Sequence, residues 1–323
     1  MLRVPFEELR QTLASALRNL GFSPGRADFC ARLFAETTRD GVYTHGLNRF
    51  PRFARMIRAG SIDICATPET VRSHGSLERW DGKRGPGNLN AWQSMDRAIT
   101  LARAHGIGAV ALANTTHWMR AGTYGWQAAD AGVIGICWTN TLPNLPAWGS
   151  TEARLGNNPL VFAIPRPAGH VVLDMAMSQF SYGALEAYRN RGEALPVDGG
   201  FDVDGRLTRD PGAIEASQRP LAIGYWKGTG LALVLDLIAA ILSGGLATHQ
   251  IPKEPEGEIG ISQFFVAIDP SGLGGATQIA DAIVASLDTR YPGQRTLELR
   301  AENLRLGVPV EDKIWAEVQA FAR

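Results

Sequence analysis

The sequence predicts an α/β protein with a helical N-terminal segment, on three observations: apolar residues at three- and four-residue spacing near its start, short apolar strand-like runs between helical stretches from about Trp80 onward, and glycines that punctuate both. In the first helix Phe6, Leu9, Leu13, Leu17 and Leu20 share one face. This segment lacks the basic start, continuous apolar run and small-residue cleavage site of a secretory signal. "SPGRADFCARLFAETTRDG" is a second helix, with Ser23 as N-cap, Pro24 at the first helical position and closure near Gly41. "NRFPRFARMIRAG" is a third, short one that stops at Gly60. A helix from Asn90 to His105 ends at Gly106, and "IGAVALAN" follows as a strand. Another helix, from about Gly122 to Ala131, leads into the strand "VIGICWTN". "PLVFAIP", "HVVLDMA" and "QFFVAID" are further apolar strands, which calls for a sheet buried on at least one face. The stretch Ala187 to Pro220, rich in Gly, Pro and Asp, is expected to form loops over this core. The apolar window Leu231 to Leu242 is interrupted by Asp236, falls short of the roughly 20 residues a bilayer requires, and reads as a buried helix. With no fixed-period repeat and no low-complexity linker, residues 1–323 read as one unit: a helical part over 1–75, an α/β core over 76–290 and a C-terminal segment over 291–323.

Composition narrows the function classes. The 32 basic residues equal the 32 acidic ones, so no net field draws the chain to nucleic acid or to an anionic membrane. Cys30, Cys65 and Cys137 are odd in number and widely spaced, the pattern of reduced thiols in a cytoplasmic protein rather than of a disulfide framework. No metal site is expected, because no histidine–carboxylate cluster has zinc-ligand spacing. Neither a Walker motif nor a serine in a nucleophile elbow is present.

Five motifs carry possible chemistry. "GIGAVA", Gly106 to Ala111, matches a relaxed dinucleotide fingerprint, but its glycines follow a helix and open a strand, the reverse of a phosphate turn; Gly106 reads as a helix C-cap and "GKRGPG" as a turn. In "DGVYTHGLNRFPRF", His45 and Arg49 lie four residues apart and would share a helical face. A histidine that titrates near neutrality can protonate a carbonyl oxygen, and an arginine fork can hold a carboxylate, a pairing suited to reduction of a 2-keto acid. On spacing alone a capping histidine with a surface arginine is the simpler account. His117, in "NTTHWMRAGTYGWQAADAG", follows a strand, where α/β proteins bind ligands. In "GYWKGTG", Trp226 offers a stacking ring and Lys227 a phosphate partner, against the alternative of a glycine-rich helix start. Asp174 in "LDMAMS" stands at a strand end, able to accept from ribose hydroxyls or to cap a turn.

Taken together, "GVYTHGLNRFPRF", "NTTHWMRAGTYGWQAADAGVIGICWTN", "LGNNPLVFAIP", "LDMAMSQFSYG", "LPVDGGFDVDGRLTRDPGAIE", "GYWKGTGLALVLDLIAAILSGG" and the C-terminal "AENLRLGVPVEDKIWAEVQA" resemble the malate/L-lactate dehydrogenase-like oxidoreductases, a family unrelated to the Rossmann lactate dehydrogenases. The resemblance covers nearly the whole chain. It implies a non-Rossmann, mixed-sheet nicotinamide-binding core, NADH-dependent reduction of a small 2-keto acid and a cytoplasmic homodimer. By position, His45 matches the family's proton donor, Arg49 a substrate-carboxylate clamp, and His117 a place near the substrate pocket. The cofactor segments fall on Val171, Val172, Leu173, Asp174, Met175 and Ala176, on Trp226 and Lys227, and on Gly293, Gln294 and Arg295. Two departures stand out: Thr44 replaces the family's usual serine and keeps its hydroxyl, and "YPGQR" puts Arg295 where the family tends to carry a glutamate. A basic residue beside the adenosine ribose would accommodate the extra phosphate of NADPH. The segment between Ile268 and Tyr291 is shorter than the family's. Another 2-keto acid, a cyclic imine, or a catalytically silent ligand-binding protein on the same fold remain the alternatives.

Overall fold

A computed structural model describes residues 2–253 and 258–323. The chain opens with β1 (Leu2–Val4), α1 (Phe6–Asn19) and α2 (Pro24–Arg39), passes through two 3-10 turns, Tyr43–His45 and Leu47–Arg49, and continues into α3 (Phe50–Arg58). The apolar stripe of α1 does what its spacing predicts: Leu9, Leu13 and Leu17 are buried against Phe34 of α2 and Phe50 and Phe53 of α3. The rings of Phe34 and Phe50 meet edge to face at 5.4 Å.

The central sheet is built from β2 (Glu69–His74), β3 (Leu77–Asp81), β4 (Ile107–Thr116), β5 (Ile134–Thr139), then β8 (Leu160–Ile164) and β9 (Val171–Met175) beyond a small pair β6 (Leu145–Pro146) and β7 (Ala153–Leu155), and finally β12 (Ile259–Ile268). Its order is β2-β3-β4-β12-β5-β8-β9. Among the described residues only β3 and β4 of this sheet run parallel; β12 lies antiparallel to both β4 and β5. The sheet is therefore mixed, unlike the all-parallel Rossmann sheet, as the family resemblance implies. Two helices, α4 (Gly87–His105) and α5 (Gly122–Asp130), cover one face. Gly106 caps α4 at φ 81, a conformation open to glycine, which accounts for the motif that mimicked a phosphate turn. That helix begins one turn earlier than its sequence pattern suggests, because Thr116 Oγ1 accepts from the Gly87 N–H at 2.9 Å.

Two expectations change. Residues 187–220 are not only loops: they hold the end of α6 (Tyr182–Arg191), a hairpin of β10 (Gly200–Phe201) and β11 (Leu207–Thr208), and α7 (Pro211–Ser217), around Leu185, Leu195 and Ile214. These elements are too short to show periodicity, although Asp210 before Pro211 is a readable cap that accepts from the Gly212 N–H at 2.8 Å. The other change concerns α8 (Trp226–Ser243), which is longer than its most apolar window and by length and composition alone would pass as a membrane span. It covers the second face of the sheet with Ala232, Leu235 and Ala239, while Leu233, Val234, Leu237 and Ile241 are exposed, Ile241 by 66%. Asp236 is buried and accepts from the Asn140 side chain at 2.8 Å and the Thr248 N–H at 3.0 Å. The C-terminus, α9 (Ala276–Ala285), α10 (Gln294–Leu306), β13 (Val308–Val310) and α11 (Asp312–Ala322), returns to the start. There β13 pairs antiparallel with β1, and Trp315 and Val318 join the N-terminal core.

Candidate active site

The segment Tyr43–Arg49 is held against the C-terminal end of α2. Thr38 Oγ1 donates to the Phe34 carbonyl at 2.7 Å and accepts from the Leu47 N–H at 2.8 Å, clamping the segment to the helix. A Cβ on Gly46 would stand 2.8 Å from the Thr38 nitrogen, so only glycine permits this approach. His45 and Arg49 consequently lie in two successive 3-10 turns rather than on one helix face, yet both line the same cavity.

That cavity measures about 1140 Å³, above the roughly 300–1,000 Å³ of a drug-sized pocket. His45, Arg49, His117, Val172, Leu173, Asp174, Ala176 and Gly293 line it; Val171, Met175, Gln294 and Arg295 do not. Trp226 and Lys227 stand apart at the start of α8, with Trp226 65% exposed. Among the described residues no group of three or more His, Cys, Asp or Glu is placed to hold a metal ion.

The two histidine rings stack at 5.8 Å with 22° between their planes. His45 Nδ1 is 3.0 Å from Thr44 Oγ1, and His117 Nδ1 accepts from the Met119 N–H at 3.0 Å, which leaves the His117 proton on Nε2 in the neutral ring. Burial, aided by the charges of Arg49 and Arg120, pushes His45 down from an ordinary 6.5 to about 4. Burial likewise lowers His117, with Arg49, His45 and Arg52 adding to it. Both imidazoles are thus neutral at pH 7 before any anion arrives. Arg49 Nη2 lies 3.3 Å and Arg52 Nη2 3.9 Å from the same oxygen of buried Glu258. Burial raises the Glu258 carboxyl, opposed by Arg49, Arg52 and a hydrogen bond from the Leu142 backbone.

Sequence reasoning passed over Asp40, Arg120, Glu258 and Arg300. Asp40, buried at the end of α2, bonds Arg39 Nε at 2.9 Å, Arg120 Nη1 at 2.8 Å, and Arg300 Nε at 2.9 Å and Nη2 at 2.7 Å. Burial would raise its carboxyl, but Arg300, Arg120 and Arg39 outweigh that and hold it at about 2. Asp40 thereby ties together the end of α2, the β4–α5 connection and α10. Arg120 was readable in principle, three residues beyond His117 in the same motif; Glu258 and Arg300 come from remote stretches with no local signal.

Another wall of the cavity joins β9 to the N-terminus of α10. Asp174 Oδ2 accepts from the Gly122 N–H at 2.8 Å at the start of α5. Surrounding protein raises its carboxyl, against Arg120 and that N–H. Gly293 has φ +95, and a Cβ there would approach the Val172 nitrogen to 3.0 Å, so glycine alone lets α10 begin against the strand. Among the described residues no side chain caps α10, whose Gln294 N–H donates to the Tyr291 carbonyl at 3.2 Å, while Gly293 and Thr296 at its start line the cavity. An acceptor carboxylate on Asp174 and the open backbone at Gly293, both lining this one cavity, fit the ribose and phosphate groups of a nicotinamide dinucleotide.

Both the sequence and the fold have counterparts among known proteins. A curated 2,3-diketo-L-gulonate reductase of Citrobacter koseri is 48% identical, over 99% of this chain and 100% of its own length. The crystal structure of a malate dehydrogenase from Entamoeba histolytica superimposes with a TM-score of 0.92 at 24% identity, covering 99% of this chain and 97% of that one. A Δ1-piperideine-2-carboxylate reductase from Pseudomonas syringae gives 0.89 at 25% identity, covering 99% and 100%. The family model described as malate/L-lactate dehydrogenase matches residues 4–319, and the chain belongs to that family.

Proposed function

We propose that the protein reduces the C2 carbonyl of 2,3-diketo-L-gulonate to give 3-dehydro-L-gulonate, using NADH. The observation that carries this reading is the full-length 48% identity with curated reductases of that name; the pairing of His45 with Arg49 in one cavity supports it. Bound NADH supplies a hydride to C2. Arg49, steadied by Glu258, holds the substrate carboxylate. Burial is the main cause of the His45 depression; the substrate anion offsets the Arg49 charge that adds to it, which favours the protonated ring that delivers its proton to the C2 oxygen. Stacking against His117 and the Thr44 hydroxyl at 3.0 Å keep the ring in place.

NADPH is the second reading, on Arg295, which lies beside Gly293 and is exposed; the Glu298 carboxylate, 3.4 Å away, offsets its charge and favours NADH. A homodimer is proposed from the exposed apolar face of α8, whose first turn carries Trp226 and Lys227, and the cofactor role of those two residues is proposed only with that dimer. Reduced Cys30, Cys65 and Cys137 support a cytoplasmic setting. The test is a panel of oxo acids and piperideine-2-carboxylate, with NADH and NADPH in parallel, followed by absorbance. The expected result is fastest oxidation of NADH with 2,3-diketo-L-gulonate; a faster reaction with another member reassigns the substrate, and no oxidation with any of them removes the reading.

A further inference from the structure

Arg120 is only 5% exposed, yet it lines the cavity together with His45 and Asp174. Among the described residues its guanidinium makes one hydrogen bond, from Nη1 to Asp40, while Nε is buried with no partner. A buried guanidinium N–H without an acceptor is costly, so its retention points to an acceptor that arrives with a ligand. The fold does not need this charge to neutralise Asp40, because Arg39 and Arg300 already bond both of its carboxylate oxygens. Asp174, the nearby carboxylate, is directed at the Gly122 N–H instead.

The anchors of the two arginines indicate which part of the ligand Arg120 meets. Arg49 is tied to Glu258 and Arg120 to Asp40, and both guanidinium charges act on His45 in the cavity that the three residues line. With the carboxylate (C1) on Arg49 and the reduced carbonyl (C2) at His45, Arg120 is the second cation acting on His45 and is available to the next oxygen, on C3. We infer that Arg120 is a specificity-determining contact for the C3 oxygen, so that the site selects an acid with two adjacent carbonyl groups over a simple 2-oxo acid. The inference rests on the function proposed above. Its chemistry is that of a site built to bond a substrate oxygen: an analogue lacking that oxygen leaves the donor unpaired and is penalised.

The test compares kcat/KM for 2,3-diketo-L-gulonate and for 2-oxobutyrate, whose C3 is a methylene, in the wild type, Arg120→Lys and Arg120→Met. NADH binding by fluorescence titration and thermal unfolding are measured alongside. Arg120→Lys keeps a cation beside Asp40 and so guards against loss of the fold. The expected result is a fall in the ratio of the two kcat/KM values of about 10- to 100-fold in the folded variants, as for loss of a charged hydrogen bond to substrate, with the Kd for NADH within about 3-fold of wild type. An unchanged ratio overturns the assignment, as does a loss confined to NADH binding, which would make Arg120 a cofactor contact. If the wild type turns over neither acid, the proposed function itself fails; an active wild type with an unchanged ratio removes only the role of Arg120.

Discussion

His45 and Asp40 show how single residues set both chemistry and pH response. For a folded His45→Ala protein we expect turnover to fall roughly 100-fold or more, the loss expected for a general acid, measured as kcat with saturating NADH. Arg49→Lys should chiefly raise the substrate KM, since one ammonium cannot reproduce a bidentate fork; an unchanged KM would move the carboxylate elsewhere. The pKa shifts of His45 and Asp40 act in one direction on stability. The unfolded chain binds a proton at His45 near 6.5 whereas the folded one waits until about 4, so stability falls as pH drops through that window. Asp40, with its carboxyl lowered from 3.8 to about 2, contributes stability that is full above 3.8 and lost as pH falls toward 2. Urea midpoints at pH 7, 5 and 3 should decline at each step. In His45→Gln the decline between pH 7 and 5 should shrink, and an equal decline would assign that window to other groups.

At the scale of elements, the clamp between α2 and the Tyr43–Arg49 segment is the most exacting feature. Gly46→Ala puts a methyl against the Thr38 backbone. It should cost about 1–3 kcal/mol, as overpacking does, and lower kcat by displacing His45, with both effects readable by denaturation and steady-state rates. This contact was hidden in the sequence. "THGLNRF" carries the spacing of a helix, and the choice of two 3-10 turns came from Thr38, which offers the Leu47 N–H an acceptor outside the segment. The long helices were legible because their apolar stripes repeat over several turns, as Leu9, Leu13 and Leu17 do. The short α7 and the β10–β11 hairpin were not, because two to seven residues hold too little periodicity to outweigh Gly and Pro.

For the whole molecule, two features join distant parts. The pairing of β1 with β13, and Trp315 and Val318 in the N-terminal core, make the C-terminus part of the frame that carries His45. Deleting residues 308–323 should expose this core and abolish cooperative unfolding. The uncovered apolar face of α8 belongs to the same scale: Leu237→Glu with Ile241→Glu should convert a dimer to a monomer in light scattering, and a wild type already monomeric would reject the dimer. Local pattern was enough to determine that this chain is α/β, that its first part is helical, and which short motifs are rich in His, Arg and Gly, since periodicity and capping act over a few residues. Only the tertiary structure decided which motifs share a cavity. It brought His117 onto His45, Glu258 onto Arg49, and Arg120 and Arg300 onto Asp40, while leaving Trp226 and Lys227 outside. The reason is physical: a buried charge must find its counter-charge wherever the folded chain brings one, and for Asp40 one of those partners lies 260 residues away.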